Sequence, residues 1–248
     1  MDSSWSDEMG TDSPSNWSNG VPTSTTSVYI GTQPSSNIIQ IDTEEMTNTV
    51  ASFTFNSTLT PNMSIAIEPF GSEQLTVNGA VTNDDNSTNI FELPFIAGAN
   101  ALYTGGTGTH AGLEFTNTFT VGLNQITTSG NVDITQDLVF TLNSISNYGT
   151  IGPVDVSGAT INIYGNYLGV AGNNFFLTSG NFSGATLGHL PTLSTGLYWV
   201  TTNFTSEGEL SVAPEPPGLN LLLGGLGLLA VWMVRSRWRQ FRLALASR

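Results

Sequence analysis

From Val28 to Val212 the sequence is a succession of short β-branched and aromatic runs, broken every few residues by Asn, Gly, Ser and Thr. Representative runs are "VASFTFNSTL", "MSIAIEP", "EQLTVNGAV", "NIFELPFIAG", "GLEFTNTFTVG", "NVDITQDLVFTLNSI" and "ATINIYGNYLG". In "VASFTF" the side chains of Ala51, Phe53 and Phe55 share one face of a strand, and Ser52 and Thr54 share the other. In "INIYG" Ile161 and Ile163 oppose Asn162 and Tyr164 in the same way. Helical periodicity is missing, and Gly, Asn and Pro recur too often for long helices. The chain is therefore all-β over this stretch. Its runs return at irregular intervals of roughly 10–20 residues, which suits either a β-sandwich or a solenoid of parallel coils. The turns tilt the reading to a parallel β-helix. They are rich in Asn and Gly, as at "TSGN" 128–131 and 178–181, and short apolar triplets recur without hairpin dipeptides. Small inward residues stacking from coil to coil are expected, with a β-sandwich body as the alternative.

Charge narrows the function classes. The chain has 19 acidic residues against 5 basic ones, and all five basic residues are arginines at or beyond Arg235. A body without Lys or Arg has no group to grip a phosphate backbone, so no nucleic acid is expected as a partner. Nor does it hold a Schiff-base lysine or an arginine to clamp carboxylates. The chain has no Cys, which excludes disulfides, thiol nucleophiles and Cys-based zinc sites.

The polar start "MDSSWSDEMGTDSPSNWSNG" lacks the basic n-region and apolar h-region of a secretory signal, so a further N-terminal segment is expected. Residues 1–27 read as a polar leader in which Trp5 and Trp17 cap the first coil, followed by a body over 28–212. Residues 213–218 are a Pro-rich linker. The run Leu219–Val234 is apolar but for Asn220. As a helix it would reach about 24 Å at ~1.5 Å per residue, short of a ~30 Å hydrocarbon core. Snorkelling arginines and local thinning make up the difference, and Gly224, Gly225 and Gly227 suit close packing in a membrane. Arg235, Arg237, Arg239 and Arg242 follow at once as stop-transfer charges. They place the tail 235–248 in the cytoplasm and the acidic body outside, in a single-pass protein of the cell membrane.

Pro214-Glu215-Pro216, an apolar Leu/Gly helix and an Arg cluster, in that order at the C-terminus, resemble the PEP-CTERM sorting signal of Gram-negative exopolysaccharide producers. Pro217 stands where that family has Ser or Thr, and the tail runs on to Arg248. The resemblance implies Pro214, Glu215 and Pro216 as the recognition element for an exosortase, a membrane processing enzyme that leaves the body at the cell surface or released. Further upstream, Leu190, Pro191, Leu193, Gly196, Leu197 and Trp199, then Gly208, Leu210, Ser211 and Val212, resemble the closing module of autotransporter-like β-solenoid passengers. Residues 15–31 resemble the first-coil entry of such passengers. A non-enzymatic envelope or extracellular matrix protein is the function this implies, adhesin-like and in contact with extracellular polysaccharide.

Chemistry in the body is sparse. Asp84 and Asp85, among Asn83, Asn86 and Asn89, are a weak candidate for Ca²⁺, competing with a solvated Asx-rich turn. Asp133 and Asp137 would share a side of one continuous strand, as a glycosidase pair requires, with Asp155, Glu92 and Glu114 as further carboxylates. His110 and His189 have no partner motif and read as surface or packing residues. No cofactor or other metal is expected. The rival function is a carbohydrate-binding or glycoside-hydrolysing β-protein, with Tyr103, Tyr148, Tyr164 and Tyr167 as candidate sugar platforms.

Overall fold

Alternating runs bury one face only if another surface covers it, and here each run is covered by the runs of its own coil. The computed structural model describes residues 22–30, 38–41, 48–56, 64–69, 72–106 and 108–216. Its strands follow in coils of three. The first holds β1 (Ser27–Ile30), β2 (Ile38–Ile41) and β3 (Asn48–Val50), and the second β4 (Ser52–Phe55), β5 (Ala66–Pro69) and β6 (Leu75–Val77). Next come β7 (Val81–Asn83), β8 (Thr88–Phe91) and β9 (Phe95–Ala97), then β10 (Ala101–Thr104), β11 (Gly112–Phe115) and β12 (Phe119–Gly122). The fifth coil has β13 (Gln125–Ser129), β14 (Val132–Ile134) and β15 (Asp137–Ser144). After the short strand β16 (Asn147–Tyr148), the sixth has β17 (Thr150–Asp155), which covers two sides, and β18 (Thr160–Tyr164). Past β19 (Asn174–Phe176), the strands β20 (Thr178–Asn181) and β21 (Thr186–Leu187) lie on the last coil.

Each strand pairs in parallel with its counterpart one coil away, as in Ser27↔Ser52, Ile67↔Phe91 and Phe119↔Leu138. The product is a three-sided parallel β-solenoid of about six turns, with almost no helix. A sandwich of antiparallel sheets is ruled out by these registers. Among the described residues the antiparallel pairs are β15 with β16 and those of a small terminal sheet.

The core is a column of side chains stacked coil on coil. Phe91 lies in register with Phe115, and their rings stack at 5.0 Å; Phe95 lies in register with Phe119, at 5.2 Å. These separations follow from the ~4.8 Å strand spacing, which sets identical side chains one above the other. Large inward residues replace the small ones expected: Phe53, Phe55, Phe91, Phe95, Tyr103, Phe115 and Phe119 fill the middle coils. Three sides enclose a wide interior, and aromatic rings fill it to native density.

The Asn-rich turns have a job beyond turning. Asn117 Nδ2 donates to Glu92 O at 3.2 Å, Asn131 Nδ2 to Ala111 O at 2.8 Å, and Asn89 Oδ1 accepts from Ile65 N–H at 2.9 Å. Each bond ties a corner to the main chain one coil away, where polar backbone would otherwise lack a partner. At some corners the coils come too close for any side chain. A Cβ on Gly130, whose φ is +73°, would sit 1.9 Å from Gly106 O.

The C-terminal end is closed by a different device, which runs two residues past Val212. Strands β22 (Leu197–Val200) and β23 (Glu209–Pro214), linked through the helix α1 (Phe204–Glu207), join β19 in a three-stranded antiparallel sheet in the order β19-β23-β22. Trp199 Nε1–H donates to Pro191 O at 2.9 Å, and the indole packs on Tyr167 and Phe175. Phe204 of α1 meets Phe182 of the last coil edge-on at 5.8 Å. The motif residues Pro191, Trp199, Gly208, Leu210 and Val212 thus belong to one cap over the open end of the core.

Trp5, Trp17, the run 219–234 and Arg235, Arg237, Arg239 and Arg242 lie outside the described residues. Among the described residues no helix is long and apolar enough to cross a membrane.

Candidate functional site

Asp133 and Asp137 do not form a pair. Strand β14 ends at Ile134 and β15 begins at Asp137, so a corner falls between them and sets them on different sides of the solenoid. Asp137 sits in register with Thr160 instead. Asp133 is held between carboxylates of other coils: Glu114 lies opposite it on one side and Asp155 on the other. Glu68 and Glu92, one residue beyond the register pair Ile67↔Phe91, form a second pair set two residues further along, because Glu114 lies opposite Ile90. All five carboxylates occupy outward, half-buried positions on the second side of the solenoid. In-register stacking sets Glu114, Asp133 and Asp155 in a ladder of like charges at strand spacing, with Glu92 and Glu68 diagonal to its end and no Lys or Arg among the described residues to offset it.

The ladder splits its protonation behaviour. Burial, then the charges of Asp155 and Glu114, push the Asp133 carboxyl above the ordinary aspartate range. Burial, then Glu68 and Glu114, raise Glu92 likewise. Asp155 is the exception. Burial acts to raise it too, but hydrogen bonds from the Ser157 hydroxyl, the Ser157 N–H and Asn181 outweigh that and hold it low. Asn181 Nδ2 donates to Asp155 Oδ2 at 2.9 Å and ends the ladder with a neutral amide. Asp133 and Asp155 are thus neighbouring carboxyls on an open sheet face, one raised and one lowered from the ordinary aspartate range.

Asp84 and Asp85 are separated by the alternation of their own segment. Asp84 is exposed, whereas Asp85 turns inward and is 4% exposed. Four consecutive inward positions here are polar and buried, namely Asn83, Asp85, Ser87 and Asn89. Asn83 Nδ2 donates to Ser87 O at 2.7 Å and to Gly112 O at 2.8 Å. Asn83 Oδ1 accepts from Asp85 N–H at 2.9 Å and from Asn89 Nδ2 at 3.2 Å. Asp85 Oδ1 accepts from Asn86 N–H at 2.7 Å, but Asp85 Oδ2 and Ser87 Oγ have no partner. The hydroxyl of Tyr103 is also buried without one, and burial pushes that phenol up, which keeps it neutral. No group of three or more His, Asp or Glu that would hold a metal occurs among the described residues.

The aromatic candidates are scattered. Tyr103 and Tyr167 are buried, and Tyr148 packs edge-on against Phe175. Tyr164 is exposed and stacks on His189 at 4.4 Å. His189 Nδ1 lies 2.7 Å from Ile163 O, and the main-chain N–H of His189 donates to Asn162 Oδ1, so this histidine packs on the last coil. His110 is exposed in its turn, and its carbonyl accepts from Thr88 Oγ1.

Pro214, Glu215 and Pro216 are all exposed. Pro214 is the last residue of β23 and lies opposite Leu197, and Glu215 N–H donates to Gly196 O at 2.9 Å. The tripeptide leaves the cap directly, with no intervening slack. The fold thus places this chain among the parallel β-solenoids with an antiparallel C-terminal cap. Comparison with protein-family models, with curated proteins and with solved structures found no match.

Proposed function

We propose that the chain is a non-enzymatic cell-envelope or extracellular matrix protein, sorted and processed at Pro214-Glu215-Pro216 by an exosortase. The observation that carries this reading is the order of parts at the end of the chain. A capped β-solenoid hands over to an exposed Pro-Glu-Pro, which precedes the Leu/Gly run 219–234 and the arginines from Arg235. Processing at such a junction needs a recognition element that is accessible and lies outside the bilayer. A rod of stacked coils, with Ser, Thr and Asn at its outward positions and a strongly acidic face, suits a spacer or adhesin hydrated within a polysaccharide matrix. Its membrane topology would be single-pass, with the body outside.

Expression of a tagged chain in hosts with and without an exosortase tests the proposal. Loss of the tail and release of the body only in the exosortase-containing host is expected, and Glu215→Ala should abolish both. Unchanged size and membrane retention in both hosts would refute it.

A second reading, glycoside hydrolysis, is favoured by the register pair Asp133↔Asp155, two adjacent carboxyls on one open face shifted in opposite directions. Turnover of an oligosaccharide that disappears in Asp133→Asn would establish it.

A further inference from the structure

The turn between β7 and β8 buries a carboxyl group whose Oδ2 meets no partner. Elsewhere among the described residues the buried polar side chains are the single threonines Thr128 and Thr178, yet this corner turns Asn83, Asp85, Ser87 and Asn89 into the solenoid in succession. The two asparagines are consumed in fixing the corner, because Asn83 makes four hydrogen bonds and Asn89 bridges from it to Ile65. What they hold in place is Asp85 Oδ2 and Ser87 Oγ, two residues apart on the same inward side, each buried and each unpartnered. Asp85 is 4% exposed and Ser87 is 2% exposed. Nothing in the body relieves the carboxylate, since every Lys or Arg in the chain lies at or beyond Arg235. A water molecule would satisfy both oxygens as hydrogen-bond partners but leave the charge uncompensated in a low-dielectric interior. Nitrogen and sulfur ligands are absent from the corner, so the donor set is all oxygen and therefore suits a hard cation.

We propose that the β7–β8 turn is a Ca²⁺ site in which Asp85 Oδ2 and Ser87 Oγ are the side-chain ligands. Asp84, exposed on the opposite side of the strand, takes no part. A site with a single carboxylate binds weakly, with a dissociation constant of roughly 10⁻⁴–10⁻³ M, the range of extracellular modules. The ion therefore fastens one corner of the third coil and stabilises the folded chain in calcium-rich surroundings. This inference does not depend on the sorting signal.

The test is thermal unfolding of the full-length chain in detergent, stripped with chelator and titrated with CaCl₂ against NaCl of equal ionic strength. A rise of the midpoint by roughly 3–6 °C is expected at tenfold the dissociation constant, growing with the logarithm of free Ca²⁺ beyond it, with binding that saturates at one ion per chain by equilibrium dialysis. Asp85→Asn and Ser87→Ala should each lose the calcium response, whereas Asp133→Asn should keep it. Ser87→Ala carries the test if Asp85→Asn fails to fold. No calcium response in the wild-type chain, a response retained in Ser87→Ala, or a response lost in Asp133→Asn would overturn the proposal. The last outcome would place any bound ion on the carboxylate ladder.

Discussion

Replacing Asp133 with Asn removes the middle charge of a ladder that has no cation, so it should stabilise the protein. Asp133 lies in register between Glu114 and Asp155, and parallel pairing holds all three at strand spacing. Like charges directly opposite each other on neighbouring strands cost about 0.2–1 kcal/mol per pair. Two such pairs, discounted because the groups are half-exposed, give a gain of about 1 kcal/mol, which corresponds to ~2–4 °C for a chain of this size. The pH dependence fixes the sign independently. Because the folded carboxyl is raised, the folded state binds more protons than the unfolded state between the ordinary aspartate value and the folded one. Stability contributed by Asp133 therefore falls as pH rises through that window and recovers on acidification. Glu92, raised for the same reasons, acts in the same direction. Asp155 acts the other way: its contribution is present above the ordinary aspartate value and is lost as pH falls through its lowered one. Thermal and urea unfolding of wild type and Asp133→Asn, from neutral pH down to the ordinary carboxylate range, would show the variant's advantage shrinking with acid. Salt should shrink it too, since ~1 M salt reduces the screening length to about 3 Å. A variant less stable than wild type, or an advantage indifferent to pH and salt, would refute the ladder's role.

Other substitutions probe other parts of the account. Phe115→Ala opens a cavity among Phe91, Phe95, Tyr103 and Phe119 and should cost about 3–5 kcal/mol in urea unfolding. Asn181→Ala removes the donor to Asp155 and Ser157 and should cost ~1 kcal/mol per lost bond. It should also raise the Asp155 carboxyl, readable by NMR titration. Gly130→Ala would force a Cβ against Gly106 O at a positive φ, so it should lower the melting midpoint far more than Gly158→Ala, whose surroundings are open. Trp199→Ala loses the bond to Pro191 and the packing on Tyr167 and Phe175, and should expose the closing sheet to limited proteolysis ahead of the coils.

Strand alternation was readable locally, and so the two faces at Phe53 and Phe55 and at Ile161 and Ile163 emerged as they stand in the fold. The Asn- and Gly-rich turns, together with missing hairpin dipeptides, were enough to prefer parallel coils over a sandwich. What sequence could not supply was the register between coils. Leu113 pairs with Val132 but Phe53 with Val81, so the coil length varies and no fixed repeat marks which residues stack. The carboxylate ladder depends wholly on that register, and the pairing of Asp133 with Asp137 failed because Thr135 and Gln136 form a corner rather than continuing a strand. The aromatic interior was missed for a related reason, since the width of the cross-section follows from how many sides a coil has. One signal at the β7–β8 turn was legible in principle. Asn83, Asp85, Ser87 and Asn89 fall at alternate positions continuing the inward phase of Val81, and a polar run in that phase marks a buried polar corner.

Mass spectrometry of the mature protein isolated from a native producer tests the sorting account most directly. That account predicts a polypeptide whose C-terminus lies at or next to Pro214-Glu215-Pro216, with the apolar run and all five arginines gone. A mature chain that still carries Arg248 would contradict it.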